Sequence, residues 1–246
     1  MPSLAAVFAH PDDETFSIAG TVSALSRAGV ACSLFCATDG DAGRASAVAV
    51  ASREELGRRR RAELLEAARI LGFDPVVTAG YPDGRLAAVD QDELVGRVVR
   101  FLRERRPDVV VTFGPEGAPN RHSDHRAISR AATAAYFLAG LPTAYPEQLG
   151  AGDGGGLATH APARLFYVTW PPPAPGDPGP FGLPPAVRVD VRGALETKRA
   201  AFTAHRTQHD HRAEFERVGL RPEEWFALAS GVAVPAGRDG TLFAGL

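Results

Sequence analysis

The chain has 246 residues, 45% of them hydrophobic and 23% charged, with a formal net charge of −2. That balance can supply a sizeable core and excludes the broad basic field of a nucleic-acid binder, so the expected partner is a small molecule. No apolar run nears the roughly 20 residues of a bilayer span, and the first one stops at His10 and Pro11 with no basic stretch before it, which reads as a cytoplasmic protein without signal peptide or membrane partner.

In chain order, "SLAAVFA" (3–9) has the length of a buried strand, "SIAGTVSALSRAG" has helical spacing up to Gly29, and "ACSLFCAT" (31–38) is a second buried strand. Its two cysteines, Cys32 and Cys36, would lie about 13 Å apart along a strand, too far for a disulfide, and read as buried thiols in a reducing compartment. A long amphipathic helix follows over 52–72, with Leu56, Leu64, Ala67, Ala68 and Leu71 on its apolar side and the "RRRR" run on its solvated face. "PVVTAG" (75–80) gives a third strand, closed by the turn "YPDG". Asp90, with Glu93 three residues later, marks the start of the next helix, and "DVVVTF" (108–113) is a fourth strand. Strands alternating with helices imply an α/β fold, a Rossmann-like, mostly parallel sheet with helices on both faces, whose ligands sit beyond the strand C-termini.

After the helical "HSDHRAISRAATAAYFLAG" the text loosens into Gly-rich (150–156) and Pro-rich (171–185) loops with a strand, "ARLFYVTW", between them. The tail reads as a strand "AVRVDV", a helix "ALETKRAAFTAHRTQ" and a shorter helix near "PEEWFALAS". With no repeat and no second core, 1–246 is expected to be a single domain with an irregular C-terminal third.

The chemistry should lie just after the strands. Asp12, Asp13 and Glu14 follow the first one as three adjacent carboxylates, which repel one another unless a cation is near, and so ask for a metal. His10 and Asp13 are three apart, as are His122 and His125 in the cluster "NRHSDHR" after the fourth strand. Two nitrogens and a carboxylate oxygen from these loops would make a three-ligand set with an open position, as catalytic zinc requires. Taken alone, "HSDH" reads equally well as a helix cap formed by Ser123 or Asp124.

"AHPDDE" before a helix and "HSDH" after the fourth strand resemble the two signature motifs of the LmbE-like or PIG-L family of zinc-dependent N-acetylglucosaminyl deacetylases. "RRAELLEAARILG", with Arg60 and Glu63, "GYPDG" and "KRAAFTAHRTQ" resemble further family segments, so the likeness runs from residue 3 to about 210. Two positions depart from the family pattern: "AG" at 19–20 stands where a Gly-Gly pair is common, and Thr207 replaces a serine but keeps the hydroxyl.

The resemblance implies that His10, Asp13 and His125 bind one zinc per chain, with ferrous iron as an alternative, and that Asp12 is the general base. It further implies His122 as general acid or oxyanion stabiliser with Asp124 holding its imidazole, and Arg60, Asp83 and His205 as substrate contacts. Arg60 equally reads as a solvated charge and Asp83 as a turn former, while Glu14 would support the metal or cap its helix, and His209 and His211 read as a solvated helix end.

The implied activity is that of a metal-dependent N-acetyl-aminosugar deacetylase, an amidohydrolase acting on a GlcNAc conjugate such as GlcNAc-malate or GlcNAc-inositol, in a chain that could form a homo-oligomer. A thiol S-conjugate amidase is the alternative on the same metal site. From another class, a nucleotide-binding Rossmann module without catalysis fits the element order but lacks G-x-G-x-x-G after the first strand.

Overall fold

The structure is a computed structural model and describes residues 1–45, 48–117, 120–150, 156–171, 182–235 and 240–246. Much of the Gly-rich run (151–155) and of the Pro-rich run (172–181) lies outside the described residues.

Seven strands form one sheet: β1 (Ser3–Phe8), β2 (Ala31–Thr38), β3 (Phe73–Tyr81), β4 (Val109–Phe113), β5 (Arg164–Thr169), β6 (Val187–Asp190) and β7 (Glu223–Gly231), in the order β3-β2-β1-β4-β5-β7-β6. The first five are parallel, and β7 runs antiparallel to both β5 and β6. β1 sits centrally between β2 and β4, and Leu4 to Ala9 are wholly buried, which is why its sequence is an unbroken apolar run rather than an alternating one. The chain steps from β1 to β2 and β3 on one side, then returns to add β4 on the other. The crevice beyond β1 and β4 is therefore the switch point at which open α/β sheets place their ligands.

The helices are α1 (Asp13–Ser17), α2 (Ala19–Arg27), α3 (Arg53–Leu71), α4 (Gln91–Arg105), α5 (Ser123–Leu138), α6 (Leu195–Ala204) and the single turn α7 (Arg212–Glu214). They flank the sheet as two groups, α2 and α3 packing with α6, and α4 with α5. The helix expected over 17–29 is broken at Ile18, whose φ of −144° separates α1 from α2. α3 starts at Ser52, whose hydroxyl accepts from the Glu55 N–H, and α4 at Asp90, whose carboxylate accepts from the N–H groups of Asp92 and Glu93.

The C-terminal elements are stitched to the N-terminal ones. Glu224 of β7 accepts hydrogen bonds from Gly20 N (3.0 Å) and Thr21 N (2.8 Å) in the first turn of α2, and its carboxylate pairs with the buried Lys198 of α6. A Cβ at Gly20 would come within 2.5 Å of the Val191 side chain, so of the expected "AG" pair the glycine is the member that lets α2 approach.

One element differs in kind from expectation. "PEEWFALAS" forms no helix: it is β7, paired with β5 from Trp225 to Gly231 and with β6 from Glu223 to Phe226. Glu224 and Phe226 are buried while Trp225 between them is not, the period-two alternation of a strand, and the two neighbouring strands decide what a short apolar run leaves ambiguous. The helix expected over the "KRAAFTAHRTQ" segment ends at Ala204 and continues as a tighter 3₁₀ run, Arg206–His211.

Candidate functional site

β1 delivers His10 to the crevice, and the turn into α1 places the carboxylates. Asp12 holds a left-handed backbone (φ 110°), a conformation that costs a non-glycine residue about 1–3 kcal/mol and persists only where neighbours fix it. Its own N–H donates to Glu14 Oε2 at 3.0 Å, and its carbonyl accepts from the N–H groups of Thr15 and Phe16. Asp13 Oδ2 in turn accepts from the N–H groups of Ala9 (3.1 Å) and His10 (2.7 Å).

The three adjacent carboxylates do not share one cation but diverge, each to its own partner. Asp12 Oδ2 lies 3.4 Å from the Arg60 guanidinium, Asp13 Oδ1 3.2 Å from His125 Nε2, and Glu14 Oε1 2.7 Å from His205 Nε2. Burial pushes the Asp12 carboxyl up to about 6 against the pull of Arg60. Burial also opposes ionisation of Asp13, yet the His125 and His10 imidazoles more than offset it and hold that carboxyl far below the usual range.

β4 ends at Phe113, whose ring stacks on His125 at 4.1 Å between centroids and fixes the plane of that imidazole. His122 caps α5: its Nδ1 accepts from the Asp124 N–H at 3.2 Å, which leaves the ring proton on Nε2. Burial, together with the neighbouring His10 and His125, lowers the His122 pKa and favours the neutral ring. The three imidazoles converge, with centroids 4.8 Å (His10 and His122), 5.2 Å (His10 and His125) and 5.4 Å (His122 and His125) apart.

Donor atoms of His10, Asp13 and His125 lie within 4.8 Å of one another, a compact two-nitrogen, one-oxygen set of the chemistry that suits zinc or ferrous iron. His10, Asp83 and His122 form a second such group that shares His10. Both open into a cleft of about 510 Å³ that Asp12 and Arg60 also line.

The family model described as PIG-L, GlcNAc-PI de-N-acetylase, matches residues 5–136. The chain belongs to the PIG-L family. This PIG-L chain is 32% identical to a 1D-myo-inositol 2-acetamido-2-deoxy-alpha-D-glucopyranoside deacetylase of Rhodococcus erythropolis, over 98% of its own length and 96% of the relative's. It is 34% identical to a probable N-acetyl-alpha-D-glucosaminyl L-malate deacetylase of Bacillus cereus, over 51% of its own length and 56% of the other's. Among solved structures it is similar to the N,N'-diacetylchitobiose deacetylase of Pyrococcus horikoshii, with a TM-score of 0.74 and 25% identity over 92% of this chain and 83% of that one.

Within this PIG-L site, His10, Asp12, Asp13, Arg60, Asp83, His122 and His125 all reach the cleft. Of the four consecutive arginines only Arg60 is buried, so the solvated-face reading holds for Arg58, Arg59 and Arg61 alone. Its guanidinium donates to the carbonyls of Gly40 (3.0 Å) and Pro11. Gly40, at φ +68°, leaves room for it, since a Cβ there would fall 2.4 Å from the guanidinium. Asp83 is more than a turn former: its Oδ1 lies 3.1 Å from His10 Nε2.

Three placements differ from expectation. His205 does not line the cleft; it is wholly buried behind it, paired with Glu14, because α6 ends against α1. Asp124 does not hold the His122 imidazole through its carboxylate; only its backbone N–H reaches that ring, and its carboxylate turns to His10 Nε2 at 3.3 Å. His211 is not merely a solvated helix end: the 3₁₀ run carries it, with Gln208 and then Glu214, onto the cleft wall. Spacing held a signal for this, since His211 and Glu214 are three apart just after the "HRTQ" segment, with Nδ1 and Oε2 3.6 Å apart. Phe16, Arg44 and Asn120, which also line the cleft, carried no sequence signal.

Among the described residues no helix is long and apolar enough to cross a membrane. Cys32 and Cys36 are free and buried, and burial raises both thiol pKa values.

Proposed function

We propose that this chain is a metal-dependent amidohydrolase that removes the acetyl group from an N-acetylglucosamine conjugate, with His10, Asp13 and His125 holding one zinc ion. The observation that carries this reading is the convergence of that donor set with a carboxylate of raised pKa, Asp12, and an imidazole of lowered pKa, His122, in one cleft. The full-length similarity to enzymes named for the inositol conjugate makes GlcNAc-inositol the first substrate to test, and GlcNAc-malate the second. The reading takes 1–246 as one catalytic domain, working in the reducing cytoplasm that two free thiols suit.

When bound, zinc supplies Lewis-acid activation of a water and of the amide carbonyl. Asp12, fixed by its left-handed turn and by Arg60, takes the proton of the attacking water as the new C–O bond forms. Its pKa, raised to about 6, makes Asp12 a stronger base than an ordinary carboxylate, and the proton it has taken passes to the amine nitrogen as the C–N bond breaks, releasing acetate and the free amino sugar. His122, its proton held on Nε2, donates to the carbonyl oxygen where negative charge develops. Of the two roles the resemblance leaves to His122, a neutral ring with a lowered pKa suits the oxyanion donor.

The test is acetate and amine release from both conjugates by metal-stripped protein, before and after zinc or ferrous iron is restored. Metal-dependent release is expected. No release from either conjugate at full metal occupancy would overturn the reading, and cleavage of a thiol S-conjugate in their place would identify the amidase that shares this site.

A further inference from the structure

Asp124 has no access to substrate: it is wholly buried and lies behind the cleft wall. Its carboxylate is nevertheless fully engaged. Oδ2 accepts from Gly84 N at 2.7 Å and faces His10 Nε2 at 3.3 Å, while Oδ1 accepts from Leu86 N at 3.1 Å. Asp83 approaches the same His10 nitrogen at 3.1 Å, and its other oxygen accepts from Ala42 N at 3.2 Å. Two carboxylates therefore share one imidazole N–H, and both are pinned by backbone donors on the loops after β2 and β3. The other ring nitrogen of His10, Nδ1, faces Asp13 Oδ2 at 3.5 Å.

We infer that Asp124, assisted by Asp83, is a positioning residue for His10: it fixes the proton on Nε2, so that the Nδ1 lone pair is presented to the metal beside Asp13 and His125. This rests on the metal-site reading above. A histidine ligand whose far nitrogen donates to a carboxylate is held in one tautomer and one ring orientation and is made more basic, and losing such a partner costs 10- to 100-fold in metal affinity. Asp124 thus acts on the metal through His10, and the turn that carries Asp83 and Gly84 is part of the same support.

The experiment is zinc affinity, measured by competition with a chromophoric chelator, for the natural protein, Asp124→Asn, Asp83→Asn, and Asp124→Asn in a His122→Asn background. Asp124→Asn is expected to weaken zinc binding about 10- to 100-fold and Asp83→Asn by less. The Asp124→Asn loss should persist at full size in the His122→Asn background, because it does not pass through His122. Natural-protein affinity in both single variants would overturn the inference while leaving the metal site standing, as would a loss that vanishes once His122 is gone. Absence of stoichiometric zinc in the natural protein would overturn the metal-site reading itself, and the inference with it. Should Asp124→Asn fold poorly, judged by the thermal melt of the metal-free form, Asp83→Asn carries the test alone, and an unchanged affinity there overturns the shared support.

Discussion

At the floor of the cleft, His10, Asp13 and His125 are at most 8% exposed, and each adjacent carboxylate has a partner of its own. At the rim, Arg44, Asn120 and Glu214 are exposed, and His211 is tied only loosely to Glu214 at 3.6 Å. The floor is over-determined: stacking by Phe113, two backbone N–H groups on Asp13 and two carboxylates on His10 leave its side chains almost no freedom. Among the described residues, few contacts hold the rim. Such a division lets the reaction stay fixed while substrate preference drifts, and the relatives of this chain carry names with different groups attached to the same sugar.

Substitutions should separate the two regions, most severely at the floor. His125→Ala removes a donor directly, so zinc affinity should fall by more than the roughly 100-fold that losing a partner behind a ligand costs, read as loss of zinc on dialysis by elemental analysis. Asp12→Ala should keep its metal and lose about 10²- to 10⁴-fold in turnover; unchanged turnover would assign the proton transfer to another group. His205→Ala leaves Glu14 buried without its cation and should cost about 3 kcal/mol of stability in a denaturant titration, the Asp12 and Thr15 donors to Glu14 keeping the loss at that lower end. His211→Ala should change stability by less than about 0.5 kcal/mol, as surface substitutions do, and alter KM for one conjugate relative to another with little change in kcat. A uniform fall in kcat would instead place His211 in the chemistry.

The floor was also the more legible part of the sequence. β1 and β4 announce themselves as unbroken apolar runs, and the His and Asp clusters follow them directly, so topology alone brings both to the switch point. Even Arg60 was marked by helical phase: Leu56, Arg60, Leu64 and Ala68 recur every four residues on the buried side of α3, a clue that the run of four arginines masks. What local sequence does not carry is the choice of partner across the fold. Asp124 sits two residues from His122 yet pairs with His10, 114 positions away, because the hinge between them is the sheet itself. The rim was missed for a related reason, since residues 206–214 have no strand to locate them and take their place by packing. β7 was misread because nine residues with apolar neighbours satisfy either period until β5 and β6 are known.

The Glu224 cap on α2 joins residues 204 positions apart, and this bears on how the protein comes into being on the ribosome. At roughly 5–20 residues per second, α2 waits about 10–40 s before its last N-terminal donors meet their acceptor, and β5 waits about 3–12 s for β7 on its outer edge. Through that interval the emerging chain holds His10, Asp13 and His125 on a sheet with an open side, so β7, the last of the described strands to be synthesised, is the one that locks α2.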